Sequence, residues 1–495
     1  MRKRREPETT VLYRLVQAEW NTFVQRAEAG ERVVPRFCRR EVEGYLRCGV
    51  LGYGFARVHC AQCKQDEVVA FSCKGRGFCP SCGTRRMADT AAWLVDRVLP
   101  AVPFRQWVLS LPYRVRLLCA YDADVCAGVR RILVRAVSGY YERAARREGR
   151  PRPRAGAVAW AQRFDSGLRL NLHFHVVWAD GVFAHDLGAG GPEFCEHGEV
   201  RDEDVAKLVA AIRDRVLRYL RREGKWAAVG EEAETAADPE LLQELGAAAV
   251  QGRAALGERA GERDVRVGRG TRSEPFVKGP QCADVEGFSL HAAVRVAARD
   301  RDRLEYLCRY AGRPAIAESR LAVLPDGRVA YSVKKKWKDG TTAVVMTPQV
   351  LMERLCALVP RPWRHLVTYH GAFAPAAGIR PFVVPQVVEE NVAGDEGEAG
   401  GEVARGAVLR RIVPHAPGKR RRGGRRRYPW AELMRRVFLI DVLVCPRCGG
   451  PRRLLAAIHD PAAIRRVLGA MGLVAEVPVL CPARSPPRQA ELPWE

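Results

Sequence analysis

The hydrophobic pattern of the chain alternates strictly over one stretch near its middle, LRLNLHFHVVWADG at residues 168–181. Up to residue 176 the even-numbered positions are apolar, and the odd-numbered positions from Arg169 to His175 are polar. A period of two residues is typical of a strand with one buried face and one open face. The pattern therefore predicts a β-strand whose open face carries His173 and His175, two residues apart.

Helical and strand patterns follow one another along the rest of the chain. Apolar residues at helical spacing predict helices in VLYRLVQAEWNTFVQRAEAG, in RRMADTAAWLVDRVL and in an arginine-rich stretch at 121–149. Strands are predicted for RQWVLSLPYRV, for residues 156–164 and for GFSLHAAVRVAA. A Pro-Asp-Gly turn in RLAVLPDGRVAYSVKKKW predicts a hairpin.

A second helix carries two tyrosines on one side. Its sequence DRDRLEYLCRYAGRP has an apolar stripe made of Leu304, Leu307, Cys308 and Ala311. Tyr306 and Tyr310 are four residues apart, so they share a face that points away from that stripe. Three arginines flank this face and are candidates for binding DNA: Arg303, Arg309 and Arg313.

Changes in composition divide the chain into four predicted parts. A helical, cysteine-rich domain at 1–98 precedes a catalytic domain at 99–385, in which 186–282 forms a partly flexible, helical insertion. A basic, glycine-rich linker follows at 386–428, and a small domain with one CxxC motif occupies 429–495.

The charge of the chain points to a polyanionic partner. Lysine and arginine number 82 against 57 acidic residues, a formal net charge of +25. Nucleic acid is the favoured partner, although an arginine-rich composition can also follow from a GC-rich genome. There is no run of 18 apolar residues and no apolar signal-peptide core at MRKRREPETTVLYRL. We therefore expect a cytoplasmic, nucleoid-associated protein that does not bind a membrane.

The cysteine spacing predicts a zinc site. Seven of the 16 cysteines lie between residues 38 and 82. Two CxxC knuckles, Cys60 with Cys63 and Cys79 with Cys82, are 15 residues apart, as in a zinc ribbon that presents four thiolates tetrahedrally. Cys73 is an alternative ligand, and Cys48 and His59 are interpreted as bystanders. Four thiolates leave no open position for a substrate, so this module is expected to dock DNA.

A third knuckle, Cys445-Pro-Arg-Cys448, has no partner pair nearby. Only His459 and Cys481 follow it in the chain. Two interpretations remain open: a second structural zinc, or a tight turn with two free thiols.

The histidine strand and the tyrosine helix together suggest phosphodiester chemistry. Two imidazoles on one strand face can share a divalent cation, with Gln162 of the preceding strand as a third ligand or as a plain hydrogen-bonding group. A divalent ion and arginines would stabilise the charge that develops on a phosphate attacked by a tyrosine. The product would be a 5′-phosphotyrosine, which conserves the bond energy for strand transfer.

These motifs resemble those of the HUH endonucleases, and more narrowly the two-tyrosine, rolling-circle transposases of bacterial insertion sequences. The resemblance also covers CAQCKQDEVVAFSCKGRGFCPSCGTRRMADTAAWLVDRVLP, QRFDSGLRLNLHFHVVWADGVF, YLCRYAGRPAIAESRL, HLVTYHGAFAP and WAELMRRVFLIDVLVCPRCGGPRRLLAAIHDP. It implies an α+β fold in which a central antiparallel sheet is joined by the tyrosine-bearing helix, the zinc module and a small C-terminal domain.

The resemblance also assigns roles. His173 and His175 match the Mg²⁺ or Mn²⁺ ligands, Tyr310 matches the nucleophile, and Tyr306 matches the second tyrosine. The implied partners are single-stranded ends of a mobile element, target DNA and host unwinding or replication machinery. Lys334, Lys335 and Lys336 are further candidates for contacting DNA. The alternatives are a rolling-circle replication initiator or relaxase, and a non-catalytic zinc-ribbon protein that binds DNA.

Overall fold

The structure, a computed structural model, describes residues 5–185, 191–226, 241–257, 259–267, 279–337, 339–362, 364–385 and 428–484. The predicted linker at 386–428 lies outside these residues except for its last one. The helices are α1 Val11–Ala29, α2 Arg36–Arg47, α3 Pro80–Arg97, α4 Tyr113–Tyr121, α5 Ala123–Arg147, α6 Asp202–Arg222, α7 Leu241–Gln251, α8 Arg301–Ala311, α9 Pro348–Leu358, α10 Arg380–Val383, α11 Trp430–Phe438 and α12 Pro461–Ala470. The strands are β1 Phe55–Cys60, β2 Asp66–Ala70, β3 Phe104–Ser110, β4 Gly156–Phe164, β5 Leu170–Ala179, β6 Gly181–His185, β7 Pro192–Glu196, β8 Val265–Val267, β9 Cys282–Val285, β10 Phe288–Val296, β11 Leu321–Val323, β12 Val329–Ser332, β13 Ala343–Met346, β14 Val367–Gly371 and β15 Arg452–Ile458.

A six-stranded sheet lies at the centre of the fold, with the strand order β14-β4-β5-β3-β10-β9. Every pairing in it is antiparallel. The predicted α+β class is confirmed, because this sheet combines with helices and with smaller antiparallel sheets. None of the described helices is long and apolar enough to cross a membrane.

The two faces of β5 have different surroundings. Leu172, Phe174 and Val176 are fully buried and pack against residues of α5 and α6. His173 and His175 alternate with them and therefore face the other side, where α3 and α8 cover part of the sheet. The alternating pattern in the sequence thus reflects one closed face and one partly open face.

The predicted arginine-rich helix at 121–149 is confirmed as α5, and a separate helix, α4, comes directly before it. Asp122 separates them, because its carboxylate accepts hydrogen bonds from the backbone N–H groups of Asp124 and Val125 and so caps α5. The break turns the chain at the point where α5 begins to cross the sheet.

The segment predicted as an insertion, 186–282, contributes to the central fold in its described parts. Helix α6 covers the apolar face of the six-stranded sheet, and β9, which begins at Cys282, forms one edge of that sheet. Strand β8 joins the hairpin strands in a four-stranded sheet with the order β11-β12-β13-β8. The segment is therefore more regular than its alanine- and glycine-rich composition predicts.

The N-terminal helices form a second core with α9. Thr10 caps α1 by accepting a hydrogen bond from the backbone N–H of Tyr13, and Gly30 follows its last residue. The buried residues of this core include Trp20, Phe23 and Tyr45. A three-stranded sheet, β15-β1-β2, lies beside it and pairs the C-terminal strand β15 with the cysteine-rich N-terminal region.

Candidate active site and metal centres

His173 and His175 form a pair on the open face of β5. Their ring centroids are 4.9 Å apart. The Nδ1 atom of His173 lies 2.8 Å from the carbonyl oxygen of Asn171, so it donates a proton there and leaves Nε2 with its lone pair. The Nε2 atom of His175 is buried and has no hydrogen-bond partner among the described residues. Both Nε2 atoms are thus available for a ligand.

Burial keeps both imidazoles neutral at neutral pH. Desolvation lowers the pKa of His173 to about 4, and the charges of Arg313 and Arg116 lower it as well. Burial also holds the pKa of His175 well below its usual value, together with His173 and Arg313. A neutral imidazole is the form that binds a metal ion.

Gln106 of β3 holds His175 and was not identified from the sequence. Its side-chain amide lies 3.2 Å from the Nδ1 atom of His175, and the side chain is 4% exposed. The Nε2 amide group of Gln106 faces Nδ1 and donates to it, so this contact holds the His175 ring in place on the sheet. The only signal in the sequence was its position in RQWVLS, on a strand that pairs with β5.

Gln162 lies directly opposite His173 in the pairing of β4 with β5. Its side chain is 4% exposed, and its Oε1 accepts a hydrogen bond from Arg313 at 3.4 Å while its Nε2 donates to the carbonyl oxygen of Ala311 at 3.5 Å. Gln162 therefore stands beside the histidines and links β4 to the end of α8. Both alternatives for this residue, a ligand and a hydrogen-bonding group, are compatible with its position.

The two tyrosines of α8 have different environments. Tyr310 is half-buried, and its ring centroid lies 5.7 Å from that of His175. Tyr306 is 65% exposed and makes no hydrogen bond or ring contact with any described residue. The predicted apolar stripe of this helix is buried, and the structure brings only Tyr310 next to the histidine pair.

Positive charge surrounds the ring of Tyr310. The guanidinium carbon of Arg313 lies 4.5 Å from its centroid, and the ammonium of Lys334 lies 5.7 Å from it. Lys335 and Lys336 are exposed next to Lys334, and Arg303 is exposed on α8. Arg309, also a candidate for binding DNA, forms an ion pair with Glu305 within α8. The negative charge of a phosphate would be stabilised beside Tyr310.

Further polar groups on the same sheet face extend the site away from the histidines. The side-chain oxygen of Asn171 is buried without a partner among the described residues. His291 of β10 pairs with Val108, which in turn pairs with His175, so His291 lies two strands away in the same row. The row continues the histidine face across the sheet.

The structure brings eight cysteines into two groups of four. The first contains Cys48, Cys73, Cys79 and Cys82, and the second contains Cys60, Cys63, Cys445 and Cys448. Within each group the sulfur atoms all lie within 4.8 Å of one another. The expected grouping of the four CxxC cysteines in one ribbon is therefore corrected, since Cys60 and Cys63 are separated from Cys79 and Cys82.

The distances between sulfur atoms match a tetrahedral zinc site. Neighbouring sulfurs are 3.4–3.7 Å apart in the first group. In the second group, Cys60 and Cys448 are 3.5 Å apart and Cys63 and Cys445 are 3.6 Å apart. Four sulfurs at about 2.3 Å from one zinc ion are separated by about 3.8 Å, whereas disulfide-bonded sulfurs are about 2 Å apart.

Cys48 and Cys73 complete the first group, so Cys48 is not a bystander. Neither residue belongs to a CxxC motif, and Cys48 follows the end of α2. Lys74, which comes directly after Cys73, has a φ of 53° in the left-handed region. The same conformation follows Cys63 at Lys64 and follows Cys448 at Gly449. Such a turn lets the backbone fold back around a thiolate.

The third knuckle finds its partner pair at the other end of the chain. Cys445 and Cys448 meet Cys60 and Cys63 because β15 pairs with β1, from Phe55 opposite Ile458 to Cys60 opposite Arg452. Backbone N–H groups of Arg447 and Cys448 lower the pKa of the Cys445 thiol to about 6. His459 stacks on Phe71, and the nearby His59 binds Asp66 at 2.8 Å.

Comparison with known protein families gives two matches. Residues 15–111 match the family described as "Transposase zinc-binding domain", a range that includes the six N-terminal cysteines of the two groups. Residues 156–378 match the family described as "Putative transposase", a range that includes His173, His175 and Tyr310. No curated protein and no solved structure matches the chain. Both matched families are transposase families, and together with the cysteine groups they support a DNA transposase that carries zinc.

Proposed function

We propose that this transposase nicks single-stranded DNA by a HUH-type mechanism and transfers the strand through a 5′-phosphotyrosine intermediate on Tyr310. The contact between the rings of Tyr310 and His175 is the observation that carries the proposal. It brings a hydroxyl nucleophile to a pair of neutral imidazoles, which the chain supplies from a helix and a strand about 130 residues apart.

Tyr310 is the nucleophile in this proposal. Its hydroxyl oxygen forms a bond to the scissile phosphorus as the bond from phosphorus to the 3′ oxygen breaks. The phenol proton passes to solvent, and the departing 3′ oxygen takes up a proton to become a hydroxyl. A later attack by a 3′ hydroxyl reverses these bonds and releases the tyrosine, so strand transfer requires no nucleotide hydrolysis.

His173 and His175 hold a divalent cation in this site, with Gln162 as a candidate for a third ligand. The unpartnered, buried Nε2 of His175 fits this role, because a buried polar atom is costly when it has no partner. When bound, Mg²⁺ or Mn²⁺ withdraws charge from the phosphate oxygens. Gln106 and the carbonyl of Asn171 orient the two rings.

Arg313 and Lys334 position the scissile phosphate. Both place a positive charge against the ring of Tyr310, and Arg313 is fixed by its hydrogen bond to Gln162. Tyr306 is exposed and lies outside this arrangement. We infer that it acts on a second phosphate, after Tyr310 has formed the first covalent link.

Both cysteine groups hold zinc in this proposal, and the partner is single-stranded DNA at the ends of a mobile element, exposed by host unwinding or replication. The match to a zinc-binding domain supports the metal, and the sulfur distances support four thiolate ligands at each site. Neither zinc has an open position for a substrate, so their role is structural.

The test is covalent trapping on labelled single-stranded DNA with Mn²⁺. We expect Tyr310→Phe to abolish the protein–DNA adduct and Tyr306→Phe to form it but to lose strand-transfer product. His173→Ala and His175→Ala should lower adduct formation by on the order of 100-fold or more. His370→Ala is a matched control, because its register with Ala157 places it on the opposite face of the same sheet. Adduct formation at the normal rate by Tyr310→Phe would refute the proposal.

A further inference from the structure

A groove lined by arginines lies on the side of the molecule opposite the histidines. Helices α5 and α6 pack their apolar sides on the face of β5 that carries Phe174, and the groove runs along their outer surface. It has a volume of about 390 Å³. The sheet therefore separates this groove from Tyr310 and the histidine pair.

Five arginines line the groove at helical spacing. They are Arg131 and Arg135 on α5 and Arg215, Arg218 and Arg222 on α6, and all five are exposed. Only Arg222 makes an ion pair with a described residue, the adjacent Glu223. Residues four apart on a helix are neighbours, so like charges at this spacing repel one another. A bound polyanion would remove this repulsion.

The walls of the groove are fixed by a close contact between the two helices. Tyr219 lies over Gly128, where an added Cβ atom would be 2.4 Å from the ring. The hydroxyl of Tyr219 also donates a hydrogen bond to the carbonyl oxygen of Asp124 at 3.2 Å. The arginines thus extend from a rigid base formed by packed helices.

We propose that this arginine groove binds the sugar–phosphate backbone of duplex DNA next to the single strand that is cut. Guanidinium groups bind phosphates through paired hydrogen bonds. Arg215 to Arg222 span about 10 Å of helix at 1.5 Å per residue, the length of roughly three phosphates on one strand of a duplex. This inference rests on the proposed function, since it assigns a second DNA contact to the same enzyme.

The chemistry of the groove favours a duplex over a single strand. Sites for single strands combine positive charge with aromatic rings on which bases stack. The aromatic residue of this groove is Tyr219, whose ring is packed on Gly128 and half-buried. The lining residues of the groove therefore present guanidinium groups for phosphates, and their one aromatic ring is taken up by packing and not free to stack on bases.

The experiment measures the affinity of the full chain for a 30-base-pair duplex and for a short single-stranded oligonucleotide across a series of salt concentrations. In a variant with Arg131→Gln, Arg135→Gln, Arg215→Gln and Arg218→Gln, we expect duplex affinity to fall by on the order of 10- to 100-fold, and the slope against salt to decrease by between about three and four. The four side chains are exposed, so the fold should be retained. The corresponding four lysine substitutions keep the charge, so they should keep the slope against salt while losing the part of the affinity that paired guanidinium hydrogen bonds supply.

Two controls make the result specific. Arg131→Gln/Arg218→Gln should weaken duplex binding more than Arg465→Gln/Arg466→Gln, which removes the same charge from exposed positions on α12. Nicking of the short single strand should be unchanged in the groove variants, whereas Tyr310→Phe should lose nicking and keep duplex affinity. Unchanged duplex affinity in the fourfold glutamine variant, or an equal loss for the single strand, would overturn the inference without affecting the proposed catalysis.

Discussion

Each cysteine group contains four thiolates, but the two groups connect parts of the chain that are separated by very different numbers of residues. In the first, Cys48 and Cys82 are 34 residues apart, and Cys48, Cys79 and Cys82 belong to the buried core formed with α1, α2 and α9. In the second, Cys60 and Cys448 are 388 residues apart and join β1 to the turn before β15. The first group stabilises a local module, and the second fastens one end of the chain to the other.

The difference in separation has an energetic meaning. The entropy lost on closing a loop grows with the logarithm of its length, so closing 388 residues costs about 2 kcal/mol more than closing 34. That cost falls once the intervening domain has folded and has brought the ends together. The second group therefore depends on the rest of the fold, whereas the first group can help to create it.

The largest effect is expected from breaking the first group. Cys79→Ser should remove one of two zinc ions per chain and lower the free energy of unfolding of the N-terminal module by more than about 3 kcal/mol, because the thiol belongs to a buried core. Metal analysis and thermal unfolding measure the two consequences. Retention of both zinc ions in this variant would contradict the grouping.

A smaller and more local effect is expected from breaking the second group. Cys448→Ser should also remove one zinc ion, but the C-terminal segment should become accessible to protease while the melting of the central sheet is unchanged. Cys481→Ser is the matched control, since this exposed cysteine belongs to neither group. If Cys481→Ser made the C-terminal segment equally accessible to protease, loss of the second zinc site would not explain the result for Cys448→Ser.

Pairs of substitutions distinguish the observed grouping from a single N-terminal ribbon. Cys60→Ser/Cys448→Ser should retain one zinc ion and be little worse than either single variant, because both residues belong to one site. Cys60→Ser/Cys79→Ser should lose both ions. A single ribbon would predict the reverse relation, with Cys60 and Cys79 behaving as one unit.

The smallest effect is expected from the ion pairs that also hold the C-terminal segment. Arg436 of α11 binds Asp96 of α3 at 3.1 Å and Glu305 of α8 at 2.8 Å. Its side chain is 38% exposed, and Glu305 keeps a second partner in Arg309, so Arg436→Ala should cost about 1 kcal/mol or less. The rate at which protease cleaves the C-terminal segment of the Arg436→Ala variant measures this loss of stability. Arg435→Ala, on the same helix and exposed, should have no effect.

Secondary structure and the direction of side chains could be predicted from the sequence where they depend on the periodicity of apolar residues. The alternating stretch around His173 predicted β5 and its two faces, and the apolar stripe of α8 predicted that both tyrosines point away from its core. That Tyr310 alone reaches His175 could not be predicted, because the distance depends on how α8 packs on the sheet. Gln106 was missed for the same reason, since it comes from a strand that becomes a neighbour only on folding.

The pairing of the cysteine knuckles could not be predicted from spacing. Each CxxC motif supplies two thiolates in a tight turn, so any two knuckles are chemically interchangeable. Closeness in sequence alone predicts that the Cys60/Cys63 knuckle joins the Cys79/Cys82 knuckle. The fold brings together different pairs. Strand β15 lies alongside β1, so Cys445 and Cys448 meet Cys60 and Cys63, and Cys48 at the end of α2 lies next to Cys82.

The strand pairing between β1 and β15 also has a consequence for the order of synthesis. A ribosome delivers Cys48 to Cys82 early, so the first zinc site can close while most of the chain is still unmade. The second must wait for Cys445 and Cys448. A gene copy with a frameshift before these codons would yield a protein in which β1 is an unpaired sheet edge and Cys60 and Cys63 are bare thiols. Exposed strand edges promote aggregation, so we expect chaperones and proteases to recognise and degrade such incomplete chains.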